Sequence, residues 1–515
     1  MALRRGRVRP GFGIPPDVFV PIYIGGKASM TGWKDGFNIV CLSRPGNLRS
    51  GEPIVYAIGS AFCLTTVGIS PSIWLARPVP PDRRIPMPSG LDRLHDLPRF
   101  TGEADDSFKP GLERMHALLD DMGHPERSFP SIHVAGTNGK GSTASMAASI
   151  LSAAGLSVGL HTSPELHQVT ERMRVDGVAA PEEWLDAAVR RHADALDRWA
   201  PSFFEVTVAF SFLYFAETSV DIAVVEVGLG GRLDATNVLQ PLVSIITNID
   251  LEHTNLLGTT LADIAREKAG IVKPNTPCVT GVTQPEALSA IRAIASAQEA
   301  PLHVLEEEGA LCLRDNGTSI RSGLDLRTPL RTYERLRPAL PGRHQHRNAW
   351  LAIRAVEIAH PDVTTEEVRD GLRSVAQRAG LRGRMDIIAE HPLIIADVAH
   401  NASSLSATLD ALLPSVRGDL RVGLALARDK NAEPIADLLA DRDVAAVPLR
   451  VVASRLRNPD DLAALLRRRG VRVLAPQTVE GARQQFEQQA HAGDALLLTG
   501  SHYVVRDAIR PSRSG

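Results

Sequence analysis

The run "HVAGTNGKGSTASMAASIL", His133 to Leu151, constrains this chain more than any other. At its start, "IHVAG" ends an apolar stretch that reads as a buried strand. "STASMAASILSAAG" has helical spacing: Met146, Ile150 and Leu151 fall near one face, and Gly155 closes the helix. A strand, a glycine-rich turn and a helix N-terminus together make an anion site. The glycines let backbone N–H groups converge, and the helix end adds partial positive charge. Lys140 is placed to reach the outer phosphates of a nucleotide. This is a variant P-loop, because Gly141 separates the lysine from Ser142, whereas the usual form puts Ser or Thr directly after Lys. The plain alternative is a glycine-rich turn that holds nothing. Three glycines, a lysine and a Ser-Thr pair at one strand–helix junction favour phosphate.

At 515 residues the chain exceeds one ordinary core, so two or more domains are expected. A net charge of −2 gives no general pull toward nucleic acid or anionic membranes. Cys41, Cys63, Cys278 and Cys312 lack CxxC spacing, which argues against a zinc site or disulfide framework and fits a reducing cytoplasm. No stretch is long and apolar enough to span a bilayer. The start of the chain differs from the rest. "MALRRGRVRPGFGIPP" is basic and proline-broken, and "LARPVPPDRRIPMPSG" reads as a linker. Arg4, Arg5, Arg7 and Arg9 precede no clean apolar segment with a cleavage site, so no secretory signal is expected. "EPIVYAIGSAFCLTTVGISPSIWLA" is compatible with a strand pair, and a true start at Met87 is an alternative.

After the P-loop, strands and helices alternate. "LSVGLHTSPEL" is strand then loop, "PEEWLDAAVRRHADALDRWA" and "FFEVTVAFSFLYFAE" are helical, and "DIAVVEVGLGG" and "VSIITNID" are buried strands. "LADIAREKAGIV", "GRHQHRNAWLAIRAVEIA" and "TTEEVRDGLRSV" are helices, and "AQRAGLRGRM" is a hinge-like link. From about residue 381 a second alternation follows, including "DIIAEHPLIIADVAHN", "LRVGLALARDK", "LRVVAS" and "DALLLTGSHYVV". The expected fold class is α/β: a large P-loop ATPase domain with a mostly parallel sheet, and a smaller Rossmann-like C-terminal domain. The second domain lacks a GxGxxG loop, so it is expected to supply groups to a shared cleft.

In such sheets ligands gather at the C-terminal strand ends. Ser163, Glu226, Asp250, Glu252 and His253 fall there. A nucleotide triphosphate needs Mg²⁺, which takes oxygen from one or two carboxylates and a hydroxyl. Glu226 is a strong candidate, at a strand end in an otherwise apolar run; an N-cap or a structural ion pair for the next element is its alternative. His253 alone reads as a loop histidine, and Lys268 alone as a solvated helix lysine.

Together these stretches resemble the folylpolyglutamate synthase/dihydrofolate synthase family, a branch of the Mur ligase superfamily. The matching segments are "GLERMHALLDDMG", "HVAGTNGKGST", "TSPELHQVTERMRVDG", "VEVGLGGRLDATNVLQP", "TNIDLEHTNLLGTTLADIAREKAGIVKP", "PGRHQHRNA", "GRMD", "DVAHNASS" and "TGSHYVV". They run in the family's order over roughly residues 92–509, and "VEVGLGGRLDATN" is the most specific of them. The resemblance implies ATP-dependent ligation of L-glutamate to dihydropteroate or reduced folate through an acyl phosphate. It implies that Thr137, Asn138, Gly139, Lys140, Gly141 and Ser142 cradle the ATP phosphates. Ser163 and Glu226 would hold a first Mg²⁺ and His253 would help hold a second. Lys268 matches a lysine carbamylated in the family, a modification that turns a cation into a carboxylate-like ligand.

By the same resemblance Asn348, Arg384 and Asp397 contact the nucleotide. Asp397, His400 and Ser501 lie where the incoming glutamate is received. Ser202, Phe203, Phe204 and Glu205, with Leu233, Asp234 and Ala235, lie near the pterin. Phe203 and Phe204 suit stacking on a flat ring, with core packing as the alternative for one of them. Lys140, Glu226, His253, Lys268, Asp397 and His400 are the expected catalytic set. Departures from the family pattern are Glu165 in "SPEL", Lys109 and Pro110 before "LERM", and His502 in "GSHY".

The expected organisation is an N-terminal extension at 1–90, poorly ordered or a mis-assigned start. An ATP-binding domain at 91–379, a glutamate-ligase domain at 380–509 and a tail at 510–515 follow. A cytoplasmic monomer is expected. A Mur-type ligase acting on a UDP-linked precursor is the enzymatic alternative, and a non-catalytic P-loop switch the alternative of another class.

Overall fold

The structure is a computed structural model. It describes residues 89–99, 111–314 and 320–509, together with the strands Ile39–Cys41 and Tyr56–Ile58. The chain divides into two compact units, Met1–Met87 and Pro88–Gly515. In the first, Tyr56–Ile58 pairs antiparallel with Ile39–Cys41, so the partner strand comes from outside the run in which a strand pair was expected. The basic start, the C-terminal tail and all of the proline-rich linker but its end lie outside the described residues; Ser89 and Gly90 at that end open the helix Gly90–His95.

In the second unit an eight-stranded sheet carries the order Leu302–Val304, Cys278–Thr280, Val243–Ile246, Ser131–Ala135, Ile222–Glu226, Val158–His161, Met173–Val175, Val178–Ala179. The first six strands pair in parallel and the last two antiparallel. Side chains alternate across it. Ile132, Val134, Ile222 and Val224 enter one core with the helices Lys140–Ala153 and Arg343–Ala359. Ala223 and Val225 enter another with the helix Phe203–Glu217. That helix is apolar on all sides, and Phe210, Phe212 and Phe215 are fully buried. Burial of each such ring contributes about 2–3 kcal/mol.

The P-loop helix departs from its expected pattern. Every residue from Gly141 to Leu151 is buried, so there is no solvent face opposite Met146 and Ile150. Ala and Ser are small enough to let the helices Arg343–Ala359 and Thr365–Arg373 pack closely against it. Ser149 satisfies its hydroxyl on the Gly371 carbonyl at 2.7 Å.

A three-stranded antiparallel sheet, Ala310–Leu313, Leu324–Arg327 and Thr332–Leu336, follows. Then comes a six-stranded sheet in the order Asp386–Glu390, Leu393–Ala396, Ala495–Thr499, Leu420–Leu424, Ala445–Arg450, Gln477–Thr478. Its first pair is antiparallel and the others parallel. Ile395, Val422 and Leu497 face one core, and Ile394, Leu496 and Leu498 face the other, so helices cover both sides.

Three local expectations are corrected. "PEEWLDAAVRRHADALDRWA" forms two helices, Glu182–Arg191 and Ala193–Trp199, broken at His192. The strand expected at "LRVVAS" lies earlier, at Ala445–Arg450, because the buried residues are Ala445 to Leu449. The first half of "AQRAGLRGRM" is the helix Val375–Ala379, and the chain turns at Gly380 and Gly383, both at positive φ.

Candidate active site

Four neighbouring parallel strands end at one place. Ser131–Ala135 leads into the glycine loop, Val158–His161 into Ser163, Ile222–Glu226 ends on Glu226 itself, and Val243–Ile246 leads to His253. The loop is anchored to the last of these strand ends. Gly136, at φ +147°, leaves no room for a side chain, since a Cβ would lie 1.8 Å from Thr247 Oγ1. Thr247 Oγ1 donates to the Asn138 carbonyl at 2.7 Å. The backbone N–H of Thr137 donates to the Asn248 carbonyl at 3.0 Å, and that of Asn138 to Asn248 Oδ1 at 2.8 Å. These two residues therefore spend their N–H groups on shaping the loop.

The helix begins at Lys140 with Gly139 as its N-cap at φ +81° and no side-chain cap. The first-turn N–H groups of Lys140, Gly141 and Ser142 thus form an uncapped helix end. Lys140 Nζ donates back to the Thr137 carbonyl at 3.0 Å. Asn348 closes one side, with Oδ1 2.6 Å from where a Gly139 Cβ would be. Arg384 and Glu226 close another, each 3.3 Å from a Gly141 Cβ position. Among the described residues, Asn138 Nδ2 and Thr143 Oγ1 are buried without a partner beside this cradle.

Glu226 is buried and accepts the Ser163 backbone N–H at 3.0 Å. Burial raises its pKa, against the pull of Lys140, Arg384 and Arg172. The fit to Mg²⁺ is chemical: a hard cation that keeps waters and shares phosphate oxygens needs only one or two carboxylates. Glu226 would offer such a carboxylate, with the Ser163 hydroxyl on the residue whose N–H it accepts. Among the described residues no three His, Cys, Asp or Glu side chains gather as a metal cage.

Lys268 is buried, not solvated, and donates from Nζ to the Gly136 carbonyl at 2.8 Å. Burial, reinforced by the Lys140 charge, lowers its pKa to about 7. His253 sits in the left-handed region at φ 50° as the N-cap of a short helix, and burial lowers its pKa to about 4. Its neighbour Glu252, a strand-end acid in the sequence, joins the site through His400 and Lys430. Burial opposes its ionisation, yet the His400 hydrogen bond and the Lys430 charge hold it well below the usual carboxylate range.

The C-terminal sheet contributes its own strand ends. Asp397 accepts the backbone N–H of Met385 at 2.9 Å, that of Ala399 at 2.8 Å and the Thr408 hydroxyl at 3.2 Å. It therefore braces the turn that carries Arg384. His400 places Nδ1 2.9 Å from the Val398 carbonyl and Nε2 3.3 Å from Glu252. Ser501 Oγ accepts the Val504 N–H at 3.3 Å, which caps the last helix. The His502 ring centroid lies 6.4 Å from that of His400. His344 is half-buried, and its Nδ1 is enclosed without a hydrogen-bond partner; desolvation lowers its pKa, Asp397 opposes this and the Arg384 charge adds to it.

The expected pterin segment divides into two kinds of residue. Ser202 and Glu205 form a capping box, with Ser202 N–H to Glu205 Oε2 at 2.7 Å, and Arg114 pairs with Glu205 at 3.2 Å. Phe203 is buried in the core, with the Arg99 guanidinium 3.8 Å over its ring and that of Arg172 5.1 Å away. Phe204 is the half-exposed one. Its ring packs where a Gly228 Cβ would lie 2.3 Å away, and it meets His161 edge-on at 6.2 Å. Asp234 is buried and accepts the N–H groups of Leu229 and Thr236 at 2.9 and 3.0 Å, while Leu233 is exposed and Ala235 buried. Glu165 pairs with Arg172 at 2.5 Å.

Two family domains match the chain. Residues 134–356 match the Mur ligase middle domain and residues 383–502 the Mur ligase glutamate ligase domain. The chain is 43% identical over 302 residues to the dihydrofolate synthase/folylpolyglutamate synthase of Bacillus subtilis, covering 57% of this chain and 70% of that one. It is 33% identical over 456 residues to the Escherichia coli protein of the same name, covering 84% and 98%. Among solved structures it is similar to E. coli FolC in complex with DHPP and ADP, with TM-score 0.71 and 29% identity over 82% of this chain and 98% of that one.

Proposed function

Because this chain belongs to the folylpolyglutamate synthase/dihydrofolate synthase family of Mur ligases, we propose that it joins L-glutamate to dihydropteroate, reduced folate or both, at the expense of ATP. It is an ATP-dependent ligase that forms an amide C–N bond. The acceptor carboxylate attacks the γ-phosphorus, a P–O bond forms, and ADP leaves. The glutamate amine then attacks the acyl phosphate carbonyl. The C–N bond forms, phosphate leaves, and the amine gives up its proton.

The observation that carries this reading is the meeting of Glu226, Arg384 and Asn348 around the uncapped helix end at Gly139 and Gly141. The open N–H groups and Lys140 suit the phosphates, and Arg384 suits charge that builds between the β- and γ-groups. Mg²⁺, held by Glu226 and Ser163 and by His253 at a second position, would offset phosphate charge. Lys268, with its lowered pKa, suits carbamylation, since only a neutral amine adds CO₂. Asn138 Nδ2 and Thr143 Oγ1, both unpartnered, suit nucleotide oxygens.

Phe204 and the Asp234 turn would take the pterin, with Ser202, Phe203, Glu205, Leu233 and Ala235 shaping that wall. His400, Ser501 and Asp397 would receive glutamate, with Asp397 acting through the turn it braces. Residues 91–379 would act as the ATP half and 380–509 as the glutamate half, in a cytoplasmic monomer. No helix among the described residues is long and apolar enough to cross a membrane. The test is phosphate release by the purified chain with Mg-ATP and L-glutamate, offering dihydropteroate or reduced folate in parallel. Release that needs both acceptor and glutamate is expected; release that ignores both would overturn the reading.

A further inference from the structure

Glu252 stands outside the phosphate and metal sets, yet it gathers three donors from the other half of the cleft. Lys430 Nζ lies 2.7 Å from its Oε1, His400 Nε2 3.3 Å and Asn401 Nδ2 3.4 Å. The same Asn401 nitrogen donates to Asn138 Oδ1 of the glycine loop at 3.1 Å. The pair is sheltered, with Glu252 14% and Lys430 16% exposed at the side chain.

The donors come from different loops. His400 and Asn401 follow the strand Leu393–Ala396, and Lys430 follows Leu420–Leu424. Glu252 follows Val243–Ile246 of the other sheet. One carboxylate thus ties the C-terminal edges of two sheets together, and Asn401 extends the tie to the phosphate loop.

We propose that Glu252 is a positioning residue, a bracket that holds His400 and Lys430 against the phosphate loop so that the incoming amine meets the activated carboxyl. The proposal rests on the ligase reading above. A charge-assisted contact sets both distance and direction, which a hydrophobic contact between the two halves would not. Small errors in the placement of two reactants carry a large rate cost. Glutamine at this position keeps the length but loses the charge, and aspartate keeps the charge but is one methylene short. The bracket concerns the amine transfer and not the earlier phosphoryl step.

The experiment separates those two steps with two nucleophiles. The full chain is given Mg-ATP and its acceptor with either L-glutamate or hydroxylamine, a small amine that traps the activated carboxyl as a hydroxamate without an amino-acid pocket. Glu252→Gln should lower kcat/KM for glutamate by about 100-fold while hydroxamate formation stays within about 3-fold. Glu252→Asp should fall between the two. Lys430→Met leaves the His400 and Asn401 contacts in place, so its glutamate defect should be the smaller, and the double variant should be no worse than Glu252→Gln alone, because the Lys430 contact is already lost there. Equal loss with both nucleophiles, or losses that multiply in the double variant, would overturn the bracket. A wild-type chain inert with both nucleophiles would instead overturn the ligase reading on which the bracket stands.

Discussion

Two helix starts in this molecule are built in opposite ways. The helix Lys140–Ala153 begins at Gly139, without a side-chain cap. The helix Ala402–Leu412 begins at Asn401, whose side chain accepts the Ser404 N–H at 2.8 Å in a capping box. The first start keeps its N–H groups available, and its glycines let Asn348, Arg384 and Glu226 approach. The second satisfies itself and turns the remaining amide N–H₂ outward to Asn138 and Glu252. An uncapped start in a buried cleft is a place for an anion; a capped one is a girder that positions its neighbours.

The difference predicts which substitutions are severe. Gly139→Ala should have the largest effect, since it demands φ +81° of an L side chain and sets a Cβ 2.6 Å from Asn348 Oδ1. Phosphate release should fall by about 100-fold or more as the anion donors are displaced. A variant with near-normal turnover would show that this helix end is not where the phosphates sit.

Asn401→Ala should come next, removing a cap worth about 1 kcal/mol and the bridge to the loop. Thermal unfolding and turnover should both suffer. Asn401→Asp separates the two roles, because a carboxylate still caps but cannot donate. Its melting temperature should recover while its turnover does not, and recovery of both would mean the outward amide is idle.

Acid titration probes the other face of the large sheet, through stability rather than turnover. His133 bonds Thr236 Oγ1 at 2.9 Å and His161 bonds Ser211 Oγ at 2.8 Å, and burial lowers each pKa from 6.5 to about 3. Above pH 6.5 neither state binds the extra proton, so stability is flat with respect to these groups. Between pH 6.5 and 3 the unfolded chain takes up protons that the folded one refuses. Stability should then fall with decreasing pH by about 1.4 kcal/mol per unit for each histidine. Denaturant unfolding across that window would measure it, and His161→Gln should flatten the slope. An unchanged slope would place the acid sensitivity elsewhere.

Ser202→Ala is expected to be the mildest. It removes a cap, so stability should drop by about 1 kcal/mol while KM for the acceptor hardly moves. A large rise in that KM would restore the substrate contact that the sequence suggested.

What was legible in the sequence follows from the same contrast. The strand–glycine–helix run is local, so His133 to Leu151 announced both the elements and the anion site. Strand ends are local too, and Ser163, Glu226 and His253 could be placed together because parallel sheets gather such ends. Glu252 was visible as a strand-end acid, but its importance depends on Lys430, 178 residues away, and no local pattern carries that pairing. Lys268 looked like a surface lysine because helical spacing does not reveal a carbonyl waiting at Gly136, 132 residues back. Ser202 and Glu205 carried a legible alternative, since S-x-x-E before an apolar run is a capping box. The all-round burial of the P-loop helix was hidden by its serines, which read as polar until Gly371 provides a partner.

The most direct measurement is the mass of the product formed when the purified chain receives Mg-ATP, L-glutamate and either dihydropteroate or reduced folate. A mass gain of one glutamyl residue on at least one acceptor, lost in Glu226→Gln, is the predicted result. An unmodified acceptor alongside steady ATP hydrolysis would contradict the account, because the phosphate site would then serve some other chemistry.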